Sequence, residues 1–254
     1  MTAVTETARR LHKVTHVTRA SDALFGLYAW FIFGLCMVFG LFVALSVPGS
    51  ERRARWLART SRAIFVLCGV RVDVRGMENL PAANCVVVAN HASYVDGFLL
   101  KGFLPGRFSF VIKGEMRNIP IIHFLLRRAG SRFVERYSSR ASSRDARQIV
   151  KAAQDGQSLA LFPEGTFQLE PGVLRFRAGA FVAAVKGAMP VVPIAISGTR
   201  HILPADRDLP RYGRIRIDVL PPINPDVPEF SDHRQLAELS RQRILAVIDE
   251  PDLA

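Results

Sequence analysis

His91 and Asp96 are the residues of this 254-residue chain best placed to do chemistry. They stand in Asn90-His91-Ala92-Ser93-Tyr94-Val95-Asp96-Gly97, directly after the apolar run Cys85–Ala89. A turn between them would put the carboxylate on one imidazole nitrogen and aim the other at a substrate. Asp96 would then fix the tautomer and stabilise the imidazolium formed when His91 takes a proton. Taken alone, the spacing also fits the commoner pairing of a helix-capping aspartate with a loop histidine. A second candidate is Phe162-Pro163-Glu164-Gly165-Thr166, where Pro163 stops an apolar run and Gly165 lets backbone approach a ligand. There Glu164 could orient a substrate hydroxyl and the N–H groups of the turn could hold an anion. A plain turn reads the same way. A third stretch, Val191-Val192-Pro193-Ile194-Ala195-Ile196, carries a proline that ordinarily marks an edge strand.

These segments need a scaffold that ends several strands at one place. Short β-branched runs read as strands at Val72–Val74, Cys85–Ala89, Phe108–Ile112, Arg132–Val134, Ser158–Phe162, Val191–Ile196 and Ile215–Leu220. Helical stretches lie near Phe98–Phe103, Ile121–Arg128, Ser139–Asp155, Ala178–Lys186 and His233–Ile248. Near-continuous apolar strands separated by helices predict an α/β fold, a mainly parallel sheet flanked by helices on both faces. Ligands in such sheets gather beyond the carboxyl ends of the strands, where His91 and Glu164 fall.

In order along the chain, N-H-A-S-Y-V-D-G, G-S-R-F-V-E-R, F-P-E-G-T and V-V-P-I-A-I resemble the lysophospholipid and glycerophosphate acyltransferase family over roughly residues 70–222. The resemblance implies an α/β domain behind a short membrane-associating N-terminal segment, with His91 and Asp96 catalytic. It assigns acceptor binding to Gly130, Phe133 and Arg136 of the second motif and to Glu164, Gly165 and Thr166 of the third. Pro193, in the fourth, goes to the acyl-donor side. One position departs: the family usually has arginine after the threonine, and this chain has Phe167. Arg175 and Arg177 stand close enough in sequence to replace that phosphate contact, and a solvated basic turn is the alternative. The departure leaves room for a lyso-aminolipid or glycerol-3-phosphate instead of 1-acylglycerol-3-phosphate.

The implied reaction is acyl transfer from a thioester, on coenzyme A or acyl carrier protein, to a lysophospholipid hydroxyl. A thiolate leaves readily, so His91 acting as general base suffices and no enzyme nucleophile is needed. No cofactor is expected beyond the thioester co-substrate. No metal is expected either, because His12, His16, His123, His201 and His233 show no ligand spacing. The rivals are a hydrolase, in which Ser93 lies awkwardly close to His91, and a non-catalytic lipid-binding protein.

From Ala23 to Ser50 no residue is charged, a length sufficient to cross a bilayer. Arginines flank it on both sides, which also fits a hairpin entering and leaving one leaflet. The denser downstream cluster (Arg52, Arg53, Arg55, Arg59, Arg62) places the C-terminal part of the chain on the cytoplasmic face of a bacterial inner membrane. Trp56–Val70 then reads as an amphipathic helix, on a membrane surface or packed on the next domain. Residues 1–70 form the membrane-associating helical segment and 71–254 the α/β acyltransferase domain.

Lysine and arginine number 34 against 22 acids, a net +12. Residues 1–75 hold +7 of it, and Arg127–Arg147 hold +5. Arg140, Arg144, Arg147 and Lys151 share one helical face, suited to anionic headgroups or an acidic carrier protein. With no aromatics interleaved and no nucleic-acid motif, nucleic acid is not expected as a partner. Three scattered cysteines exclude a disulfide scaffold.

Overall fold

The computed structural model describes residues 20–114, 118–134 and 139–254. Helix α1 (Ala20–Ser46) leads into α2 (Ser50–Leu67). Next come β1 (Arg71–Arg75), β2 (Val86–Ala89), α3 (Val95–Phe103), β3 (Ser109–Lys113), α4 (Pro120–Arg128) and β4 (Arg132–Val134). The chain continues through α5 (Ser139–Gln154), β5 (Leu159–Leu161), α6 (Gly179–Gly187), β6 (Val191–Ser197), α7 (Thr199–Ile202), β7 (Arg214–Val219) and α8 (His233–Leu245). The strands form one sheet in the order β1-β7-β6-β2-β5-β3-β4. All neighbours are parallel except β6 and β7.

Strand β2 sits in the middle, and all four of its residues are buried because helices cover both faces. Val87 and Ala89 join a core with α1, α2 and α3, through Ala29, Ile32, Phe65, Leu99 and Leu100. Val86 and Val88 face the opposite core, built with α5, α6 and α8 from Ile149, Ala153, Phe181, Leu236 and Ile244. The period of two along the strand makes the two cores.

The proline-bearing strand is not at an edge. β6 lies between β7 and β2, and Pro193 is buried. The missing N–H is tolerated because pairing with the antiparallel side changes register there, between Val191↔Ile223 and Ile194↔Val219. The Pro193 carbonyl still accepts from Leu220 N at 2.9 Å.

Helix α1 is apolar all round, yet its two sides differ in size. Gly26, Ala29, Ile32, Cys36, Gly40, Val43 and Ala44 face inward. Leu24, Leu27, Phe31, Leu35, Val38, Phe42 and Leu45 are exposed along the other side. The small inward residues allow close approach: a Cβ on Gly26 would lie 2.8 Å from the Leu209 Cβ. Trp30 Nε1 donates to Asp208 O at 2.7 Å, and Phe25 meets Tyr212 edge-on at 5.7 Å. Helix α2 returns alongside α1, with Leu57, Thr60, Ser61 and Phe65 buried, so it packs on the rest of the fold. Arginines secure the turn between them: Arg53 Nε donates to Arg128 O at 2.8 Å and Arg128 Nε to Ala44 O at 2.8 Å.

Gly198, after β6, has φ +92°, and a Cβ there would fall 2.1 Å from the Arg214 carbonyl oxygen. Gly198→Ala is therefore expected to cost roughly 2–4 kcal/mol, read as a lowered thermal midpoint.

Candidate active site

The carboxyl end of β2 runs straight into the turn that carries His91. Asn90 holds this exit in place by extending the ladder with its side chain. Its Nδ2 donates to Ile196 O at 2.9 Å, and its Oδ1 accepts from Ile196 N at 2.7 Å. The turn then folds over Asp96, in the first turn of α3 and fully buried. Asp96 Oδ2 lies 2.8 Å from His91 Nδ1 and accepts the backbone N–H groups of Ala92 and Ser93, both at 2.8 Å. A carboxylate only accepts, so His91 carries its proton on Nδ1 and leaves the Nε2 lone pair available. The His91 side chain remains 19% exposed.

Ser93 is fully buried, and its hydroxyl donates to Leu203 O at 2.6 Å. That bond ties the turn to the loop beneath α1 and leaves Ser93 poorly suited to act as a nucleophile.

Glu164 reaches the same turn from the end of β5. It is 3% exposed; Oε1 accepts from His91 N at 2.7 Å and Oε2 from Leu174 N at 2.9 Å. Both oxygens are thus engaged by backbone, and the side chain clamps the His91 turn to the 162–174 loop. Burial pushes its carboxyl up to about 7, against the pull of the two N–H donors. The sequence suggested a contact to a substrate hydroxyl; here the carboxylate serves the frame around His91.

The His91 ring is lined by aromatics, a contact that the sequence does not reveal. Phe162 stacks on it with ring centroids 4.3 Å apart, and Phe167 meets it edge-on at 4.7 Å. Tyr94 in turn meets Phe167 at 4.7 Å. The one sequence signal was Phe167 itself, an aromatic where arginine was expected.

The other sequence-selected residues are more dispersed. Gly165 is buried with φ +79° and donates its N–H to Phe162 O, closing the turn. Thr166 is exposed, its hydroxyl directed to Phe167 O at 3.3 Å. Arg175 and Arg177 are exposed just past the Glu164 clamp, and neither pairs with an acid among the described residues. Gly130, at φ +80°, closes helix α4. Phe133 lies in β4, and Arg136 lies outside the described residues. Pro193 is inside the sheet, one strand over from His91. Among the described residues no cluster of His, Cys, Asp or Glu could hold a metal ion.

Residues 71–197 match a family model described as Acyltransferase. The chain is 29% identical over 202 residues to a chloroplastic 1-acyl-sn-glycerol-3-phosphate acyltransferase of Arabidopsis thaliana, covering 78% of this chain and 56% of that protein. It is 25% identical over 225 residues to the 1-acyl-sn-glycerol-3-phosphate acyltransferase of Saccharomyces cerevisiae, covering 85% and 73%. The chain spans about half the length of the plastid relatives it matches. Among solved structures, the 1-acyl-sn-glycerophosphate (LPA) acyltransferase PlsC of Thermotoga maritima superposes with a TM-score of 0.75 at 27% identity. That match covers 88% of this chain and 93% of the other.

Proposed function

This chain belongs to the acyltransferase family, and from that premise we propose that it moves a fatty acyl group from a thioester to the free hydroxyl of a lysophospholipid. The first acceptor is 1-acylglycerol-3-phosphate, which would give phosphatidate, in line with the names of the relatives. The observation that carries the proposal is the 2.8 Å contact between His91 Nδ1 and a fully buried Asp96, at the carboxyl end of a central strand. His91 Nε2 takes the proton of the acceptor hydroxyl as its oxygen attacks the thioester carbonyl. Asp96 stabilises the imidazolium that results. The C–S bond then breaks, and the thiolate leaves with the proton returned by His91. Coenzyme A or acyl carrier protein supplies the thioester.

Arg175 and Arg177 are the described cations best placed for an acceptor phosphate, unpaired and next to the Glu164 clamp; Arg136 is the motif's own arginine. Phe167, lacking charge where the family has arginine, favours a second reading, a lyso-aminolipid as acceptor.

The exposed apolar side of α1 belongs against acyl chains. Because α2 returns along α1 and arginines hold the turn between them, the pair seats in one leaflet, its basic end toward the cytoplasmic side.

The test is purified protein given lysophosphatidate, glycerol-3-phosphate and a lyso-aminolipid, each with acyl-coenzyme A and acyl carrier protein, with products read by mass spectrometry. Phosphatidate is expected to dominate. An ester formed only on the aminolipid would replace the acceptor assignment, and free fatty acid from every mixture would sink the transferase reading.

A further inference from the structure

The stretch from the Glu164 turn to Arg177 has no helix or strand of its own, so its shape has to come from what touches it. Three consecutive N–H groups fix its middle. Gly172 N donates to Glu250 Oε2 at 2.8 Å, Val173 N to Pro251 O at 2.9 Å and Leu174 N to Glu164 Oε2 at 2.9 Å. Arg175 follows at once, and Arg177 N donates to Pro163 O at 2.9 Å. The backbone that carries these two exposed arginines is thus held from two sides. Glu164 grips it from the side of His91, and residues 250–253 grip it from behind.

Arg200 completes the attachment. It stands in α7, directly after the central strand β6, and its guanidinium spans two segments. Its Nη1 donates to Gln168 O at 2.7 Å, while Nε and Nη2 meet Glu250 Oε1 and Oε2 at 2.9 and 2.8 Å. The two side chains are only 14% and 18% exposed, so solvent screens the pair little. Glu250 accepts from the loop and from Arg200 at once, and so fastens the loop to the end of β6. The segment around it is anchored in turn: Arg241 of α8 holds Asp252, and Leu253 N donates to Val173 O at 3.1 Å. Gly172, at φ +140°, lies so close under Leu253 that a Cβ would run into its side chain. Among the described residues, neither Arg200 nor Glu250 hydrogen-bonds to His91 or Asp96, so the pair stands outside the proton transfer.

We propose that Arg200 and Glu250 are positioning residues that set the place of Arg175 and Arg177, and with it the affinity for the acceptor's phosphate, without touching substrate. The proposal rests on the acyl-transfer reading above, including its assignment of these two arginines, and deepens it. Long exposed side chains bind a phosphate well only where their backbone is already fixed, because ordering them on binding costs affinity. His91 keeps its own support, since Glu164 Oε1 holds its N–H and Asp96 its ring. Loosening the loop from behind therefore weakens acceptor binding and spares the chemical step.

Steady-state kinetics with acceptor and donor varied in turn separate this role from plain fastening. Glu250→Gln sets an NH2 group against Arg200 or the Gly172 N–H, donor against donor. Arg200→Lys keeps the charge but cannot span Glu250 and Gln168 O together. Each is expected to raise KM for lysophosphatidate roughly tenfold, with kcat and the KM for acyl-coenzyme A within about twofold of wild type. Either variant carries the test if the other does not fold. In an Arg175→Ala/Arg177→Ala background, Glu250→Gln should add nothing further, because the side chains it positions are gone. An acceptor KM that stays at the wild-type value, or a fall in kcat alone, overturns the proposal. So does a tenfold rise that persists in the arginine-free background. If Arg175→Ala/Arg177→Ala itself leaves the acceptor KM unchanged, the phosphate assignment fails and the proposal with it. A wild-type protein that forms no ester with any acceptor sinks the acyl-transfer reading itself, which is a different result.

Discussion

Replacing His91 by alanine is expected to lower kcat by roughly 10²–10⁴-fold, the usual worth of a positioned general base, with little change in KM. Asp96 Oδ2 gathers three donors at 2.8 Å, so the imidazole is held before substrate arrives. Removing the ring removes the proton acceptor and leaves the acceptor's binding contacts in place, which separates kcat from KM. Asp96→Asn keeps an oxygen for the same donors but loses the charge that stabilises the imidazolium, so kcat falls there too. Steady-state kinetics on folded variants decide the matter. A His91→Ala protein retaining more than about a tenth of wild-type kcat would exclude general-base catalysis by this residue.

Glu164→Gln is expected to disturb both the stability and the activity of the protein. Glutamine has one oxygen, and its NH2 group would face either His91 N–H or Leu174 N–H, donor against donor. The stranded N–H costs about 1–3 kcal/mol. Loosening the backbone of His91 should also lower kcat roughly 10- to 100-fold. The pH dependence gives a second signature. Burial raises the Glu164 carboxyl from 4.5 to about 7, so between those values the folded protein holds a proton that the unfolded chain has released. The stabilisation from that proton is full below about 4.5 and is lost as pH rises through about 7; its size is up to ~3 kcal/mol. The wild type should therefore lose stability relative to Glu164→Gln across this window. Denaturant melts from pH 4.5 to about 7 would show the difference narrowing, and a constant difference would refute the account.

All seven strands were legible in the sequence because buried parallel strands are written as short β-branched runs, and each lies within a residue or two of its expected place. The His91–Asp96 contact was legible too, since both residues sit in one short turn. What the chain order hides is contact between distant loops. Glu164 meets His91 across 73 residues, and nothing local to F-P-E-G-T says that its partners are two backbone N–H groups. Phe167 was visible as a departure, yet its place against the imidazole depends on how the β5 loop folds back. Pro193 misled for a related reason. The rule that sends proline to sheet edges assumes a regular ladder, and here the register changes beside it. The two-sided character of α1 escaped because periodicity of polarity was absent; the period lay in side-chain size.

That sorting of large from small along α1 bears on how the protein can be handled. A helix that merely tethered a soluble enzyme could be cut away or exchanged for another anchor. Here Ala29, Ile32 and Cys36 belong to the same apolar cluster as Val87 and Ile194 of the central strands. Leu203, whose carbonyl receives the Ser93 hydroxyl, lies in that cluster as well. Trimming the chain to make it soluble would peel open the interior beneath the His91 turn. Solubility engineering belongs on the outward leucines and phenylalanines, where charge can be introduced without touching the core.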